Sequence, residues 1–152
     1  MIKSLLNEST IRLKVEVSDW SEAGRKAGEL LLQNNSIEEA YIDKMIEAVY
    51  EFGPYIVIAK GIALFHARPE DTVKEICLSM ITLNQAVSFG AGEKDPVDLI
   101  FALGAIDHDS HLQAISGLIK ILRDEELLTQ IRNGNRVESV LDLIYQKIEQ
   151  EE

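Results

Sequence analysis

Residues Val97 to Ile106 form a nearly continuous apolar stretch in which Asp98 is the only charged side chain. The run is too short to cross a bilayer, which takes about 18 to 20 apolar residues. A run of this length and composition, next to turn residues at Asp95-Pro96, reads as a β-strand covered on both faces. That requirement constrains the fold more than any other feature, because the chain must then supply apolar material to both sides of a sheet.

The flanking sequence provides it. Ile11, Leu13, Val15 and Val17 alternate with polar residues at the period of a half-buried strand. Asp19 followed by Glu22 predicts a capped helix carrying Ala23, Ala27, Leu30 and Leu31. Ser36 with Glu39 predicts a second capped helix, with Ala40, Ile42, Met45, Ile46 and Val49 as its apolar positions and Phe52-Gly53-Pro54 as its stop. Tyr55–Ala59 and Gly61–Phe65 are short apolar runs, read as two strands or as one strand with a bulge. His66–Asp71 reads as a polar loop, Ile76–Leu83 as a strand, and Asn84–Pro96 as a turn-rich connection. Helical spacing returns at Leu112, Ile115, Leu118, Ile119 and Leu122. It continues through a short segment at Leu127, Leu128 and Ile131 and, past Gly134, a last helix with Val137, Val140, Leu141, Ile144 and Ile148. The tail Glu149–Glu152 reads as a frayed, solvated end. Helices bracketing a strand-rich middle predict an α/β (α+β) fold, a central mixed sheet flanked by helices, and 152 residues suit a single domain over 1–152.

Charge narrows the partners. With 15 Lys and Arg against 26 Asp and Glu, the formal net charge is −11. Phosphate backbones and anionic lipid repel such a chain, which argues against nucleic acid and membrane surfaces as ligands. No signal-like or membrane-spanning run occurs, so a cytoplasmic location is expected. The single cysteine, Cys77, lies in an apolar stretch without a basic neighbour and reads as packing rather than as a nucleophile.

The chemistry therefore rests on three histidines. His66 ends an apolar run, and His108 and His111 flank the junction between the buried strand and a helix. Strand ends facing a helix start are favoured ligand positions in α/β sheets. A helix opening near Asp109 or Ser110 would place His111 in its first turn, where free N–H groups and the dipole favour an anion. Asp109 is the expected N-cap, with Asp107 as an alternative partner for an imidazole N–H. Arg68 would bring a two-pronged cation to the same anion, unless it pairs with Glu70 or Asp71 at the surface. A zinc site built on Asp107, His108, Asp109 and His111 lacks a general base and a helical i, i+4 histidine pair, so no metal is expected. Nucleotide-binding and serine-hydrolase motifs are absent from the sequence, and no cofactor is expected.

Beyond these physical readings, the run from Gly53-Pro54-Tyr55-Ile56-Val57-Ile58 through Gly61-Ile62-Ala63-Leu64-Phe65-His66-Ala67-Arg68-Pro69-Glu70 resembles the phosphohistidine motif of a known family. It is that of enzyme IIA of the bacterial phosphoenolpyruvate:sugar phosphotransferase system (PTS), in its fructose/mannitol superfamily. Asp95–Ile100, Ala105-Ile106-Asp107 and Ser110-His111-Leu112 resemble its second block, and the His-Ala-Arg-Pro form is most similar to the ascorbate-type branch. Phe65 stands where the family usually has a proline just before the histidine, and Lys60 where this branch often has one. The resemblance implies a phosphotransferase in which His66 carries the phosphoryl group and His111 supports it. His108 matches no family position. The mannitol branch places an arginine in the preceding helix, where this chain reads Glu47-Ala48-Val49-Tyr50-Glu51, so the positive charge falls to Arg68. The implied donor is the carrier protein HPr and the implied acceptor the cysteine of enzyme IIB, with the membrane enzyme IIC an indirect partner. Neither handover requires a nucleotide or a metal. A shallow apolar rim of Phe65, Ile106 and Leu112 is expected around His66. The rival readings are a regulatory phosphohistidine module without a transport role, and a metal-dependent hydrolase using His66, His108 and His111.

Overall fold

A computed structural model describes residues 1–151. Its elements are α1 (Ile2–Leu5), β1 (Ile11–Val15), α2 (Trp20–Gln33), α3 (Glu39–Phe52), β2 (Val57–Ala59), β3 (Ile62–Phe65), β4 (Cys77–Val87), β5 (Val97–Gly104), α4 (His108–Leu122), α5 (Glu125–Asn133) and α6 (Val137–Gln150). The five strands form one mixed sheet in the order β1-β4-β5-β3-β2. β1 is parallel to β4 and β3 to β5, while β4/β5 and β2/β3 are antiparallel.

The apolar run behaves as its composition requires. From Leu99 onward along β5, Ile100 and Ala102 face one core and Leu99, Phe101 and Leu103 the other, while Val97 at the start of the strand joins the first core out of that alternation. β3 alternates in the same way, with Ala63 and Phe65 on the first side and Ile62 and Leu64 on the second. The period of two thus sends successive side chains into two separate apolar layers. The first layer is filled by α2 and α3. The second is filled by α1, α4, α5 and α6.

Several local expectations are met and several are corrected. Asp19 caps α2 by accepting from Glu22 N, and Glu22 reaches back to Ser18 N, one residue beyond a standard capping box. Ser36 does not cap α3: its hydroxyl bonds Glu75, and α3 opens after Glu38 without a side-chain cap. On that helix Ala40 is exposed, and Tyr41 takes the buried position instead. The runs around Lys60-Gly61 are two strands of a hairpin, with Gly61 at φ +75°. Part of the expected connection is strand, because β4 extends through Asn84, Gln85 and Ala86 to pair Val87 with Val97. Those three side chains are exposed, so the ladder continues without an apolar pattern to announce it. On α4 the expected helical period holds and Leu118, with Ile115 and Leu122 beside it, does face the core, but two of the expected positions do not. Ala114, Leu118 and Ile121 are buried, whereas Leu112 and Ile119 are exposed. The tail is tied down as far as it is described, since Glu149 pairs with Lys3, and Glu151 with Arg123 and Lys147. Glu152 lies outside the described residues. Cys77 is buried, and burial pushes its thiol up to about 12, as expected of packing.

Candidate functional site

The parallel pairing of β3 with β5 creates the site. Phe65 lies opposite Ala102, so the chain leaves both strands at the same edge of the sheet. From β3 it runs into His66. From β5 it passes Ala105 and Ile106 and turns at Asp107 into α4. The two imidazoles meet there, with ring centroids 6.4 Å apart at an interplanar angle of 53°. Both line a cavity of about 260 Å³ together with Tyr41, Leu103, Ala105 and His108. A second, wider recess of about 680 Å³ opens beside His66, walled by Phe52, Tyr55 and Pro69, with Glu51 and Arg68 also lining it.

His66 is held by three contacts. Its Nδ1 lies 2.8 Å from the carbonyl oxygen of Leu64. A carbonyl only accepts, so Nδ1 carries a proton, and in the neutral ring Nε2 holds the lone pair. The Tyr55 ring stands edge-on to the imidazole, 5.4 Å between centroids and 79° between planes. Its hydroxyl donates to the His66 carbonyl at 3.1 Å.

His111 occupies a different helical position from the one expected. Asp107, not Asp109, is the N-cap, accepting from Ser110 N at 2.7 Å. α4 therefore begins at His108, and His111 N–H donates to Asp107 O at 3.2 Å, which removes it from the set of free helix-start donors. His111 reaches the site through its side chain alone. Its imidazole titrates below the ordinary histidine value, chiefly because it is partly buried and further because His66 and His108 stand near it. His111 consequently tends towards the neutral form near pH 7. Asp107 titrates below the usual carboxylate value because the Ser110 backbone N–H and hydroxyl bond it.

Arg68 is exposed and makes no ion pair among the described residues. The surface bridge to Glu70 does not form, since Glu70 pairs with Lys44 at 2.7 Å. The expected rim is corrected at one position. Phe65 is fully buried against Phe89, with 5.9 Å between centroids, while Ile106 and Leu112 are exposed as expected. His108 is exposed on the first turn of α4. Among the described residues, no three His, Cys, Asp or Glu side chains come together as a metal-ligand set. Tyr41, Tyr55 and Glu51 were not identified from the sequence. Tyr55 sits inside the Gly53-Pro54-Tyr55 run and carried a local signal, whereas Tyr41 reads as one more position on a helix.

Comparisons with known proteins bear on the family and the fold. Residues 4–147 match the family model described as "Phosphoenolpyruvate-dependent sugar phosphotransferase system, EIIA 2". The ascorbate-specific PTS system EIIA component of Escherichia coli (strain K12) is 35% identical over 142 residues, covering 93% of this chain and 92% of that protein. The mannitol-specific cryptic phosphotransferase enzyme IIA CmtB of Escherichia coli superposes with a TM-score of 0.85 at 34% identity, over 95% of this chain and 98% of that one. A chain of the Escherichia coli complex between enzyme IIAMTL and phosphorylated enzyme IIBMTL has the same fold, with a TM-score of 0.82 at 24% identity over 93% and 97% of the two chains. With the family model spanning nearly its whole length, the chain belongs to the EIIA 2 family of the phosphoenolpyruvate-dependent sugar phosphotransferase system.

Proposed function

We propose that the chain acts as one enzyme IIA domain that relays a phosphoryl group through Nε2 of His66, in the cytoplasm, within a system for ascorbate or a related sugar. In the first transfer the Nε2 lone pair attacks the phosphorus of phosphorylated HPr. A P–N bond forms to His66 as the bond from phosphorus to the donor histidine of HPr breaks, its electron pair staying on the donor nitrogen. In the second, the thiolate of an enzyme IIB cysteine attacks the same phosphorus, and the electron pair returns to Nε2. The observation that carries this reading is the Nδ1 contact to Leu64 O, which leaves Nε2 as the nucleophilic nitrogen beside a cavity shared with His111.

Phosphoryl transfer asks the protein mainly for position and for groups that stabilise charge on the three equatorial oxygens. His111 can donate one ring N–H to an oxygen while it remains uncharged. Arg68 lines the neighbouring recess, makes no ion pair among the described residues, and can take two oxygens at once. The acceptor assignment is supported by the mannitol enzyme IIA, a fold relative studied with its phosphorylated enzyme IIB. The ascorbate assignment is supported by the relative at 35% identity. A cytoplasmic location accords with the described residues, among which no helix is long and apolar enough to cross a membrane.

Incubation with enzyme I, HPr and phosphoenolpyruvate, followed by intact-mass spectrometry, tests the reading. The wild type is expected to gain one phosphoryl group and His66→Ala none. A stable adduct on His66→Ala overturns the assignment of His66.

A further inference from the structure

We infer that Tyr55 and Tyr41 are positioning residues for His66, their two hydroxyls clamping the single peptide unit that joins His66 to Ala67. The inference rests on His66 being the phosphoryl acceptor, and it concerns what holds that imidazole in place. β3 ends at Phe65, so the peptide between His66 and Ala67 is the first beyond the strand. Side chains take hold of it there. The Tyr55 hydroxyl donates to its carbonyl at 3.1 Å. Its N–H donates to the Tyr41 hydroxyl at 3.1 Å. That same hydroxyl donates onward to Leu103 O at 2.6 Å. The clamped peptide is therefore tied to the end of β5, the strand that leads to His111.

The two tyrosines act from different places. Tyr41 rises from α3, fully buried, and desolvation pushes its phenol well above the usual value, so it stays protonated and keeps its donor. Tyr55 precedes β2, is partly exposed, and also places its ring edge against the imidazole. With the peptide plane fixed, the His66 side chain starts from a defined backbone. Its Nδ1–H then reaches Leu64 O and Nε2 points in one direction. In-line transfer is sensitive to this, since a misplacement of about 1 Å at a reacting atom can cost about 10²-fold in rate. Without the clamp the peptide can rotate, the Nδ1 contact loosens, and the proton redistributes between the two ring nitrogens.

Tyr55→Phe tests the inference, because it removes only the hydroxyl and keeps the ring. Two measurements are made on the full chain. Nitrogen NMR of the unphosphorylated protein reads the share of His66 protonated on Nδ1. A phosphorylation time course with phosphorylated HPr separates the maximal rate from the donor KM. We expect the Nδ1–H share to fall and the maximal rate to drop about 10-fold, with the donor KM within about twofold of wild type. A wild-type value for either the tautomer or the maximal rate overturns the role of Tyr55, whatever happens to Tm. The Tyr41 half is read on the wild type, avoiding a core substitution. The Ala67 amide should exchange with deuterium at least about 10²-fold more slowly than an unprotected amide, and free exchange overturns it. The NMR arms require no donor, so they stand apart from the His66→Ala experiment, which decides whether His66 carries the phosphoryl group.

Discussion

His111 is pulled towards its neutral form by burial first and by its two histidine neighbours second. Removing His66 deletes one of those neighbours and admits water, so His66→Ala should raise the His111 pKa towards the ordinary value. A proton-detected titration of His111 in both proteins checks this, and an unchanged midpoint would deny the electrostatic contact between the rings. The same sign governs stability. A histidine whose folded pKa is lowered contributes stability that is present above its unfolded value, near 6.5, and is lost as the pH falls through the folded value. Arg68 invites a second test at this scale. It is exposed and unpaired among the described residues, so Arg68→Gln should leave Tm within about 1 °C, consistent with surface changes of about 0.5 kcal/mol or less. The rate of His66 phosphorylation should nonetheless drop at least about 10-fold, with Arg68→Lys intermediate because an ammonium lacks the fork. Wild-type kinetics in Arg68→Gln would return the residue to the surface.

At the scale of elements, the packing of α2 against β3 is set by the lack of a side chain. A Cβ on Gly24 would lie 2.5 and 2.7 Å from ring atoms of Phe65 and 2.9 Å from Ile46 Cδ1. Phe65 is fully buried and immediately precedes His66, so α2 presses on the strand residue that delivers the histidine. Alanine in a helix interior normally adds about 1 kcal/mol over glycine. Here the overpacking cost, about 1 to 3 kcal/mol, should exceed it. Gly24→Ala should therefore lower the stability measured by urea unfolding, against the propensity scale, and a gain in stability would show that the ring gives way freely. Propensity arguments fail at such positions because they describe a helix alone. The same reason accounts for which apolar positions of α4 turn inward. Leu112 and Ile119 fit the helical period, yet the sheet lies on the side of Ala114, Leu118 and Ile121. Asp107 rather than Asp109 caps α4, a choice the sequence leaves open because both aspartates offer a capping carboxylate.

Across the whole molecule, acid stability should follow the carboxylates that fold into hydrogen bonds. Partial burial pushes Asp95 upward, but bonds from Phe89 N, Ala91 N and Ser88 Oγ outweigh it and hold its pKa below the usual value. A depressed carboxylate contributes stability that is full above the unfolded value, near 3.9, and is lost as the pH falls through the folded one. Asp95→Asn should thus cost about 1 kcal/mol at pH 7, and its gap to wild type should narrow as both are taken towards pH 3. A gap independent of pH would assign the loss to packing rather than charge. What the sequence alone determined is what depends on neighbours along the chain. Alternation and the apolar run Val97–Ile106 required a sheet covered on two sides, Gly53-Pro54 stopped a helix, and the run ending in His66 carried the family resemblance. Tertiary structure decided what depends on register and on which face turns inward. The parallel pairing of β3 with β5 brings His66 to His111, and the inward turn of α3 sends Tyr41 beneath the loop after His66. No local pattern encodes either, because both arise when distant segments compete to bury the same apolar surface, and the lowest free energy belongs to the assembled layers rather than to any one of them.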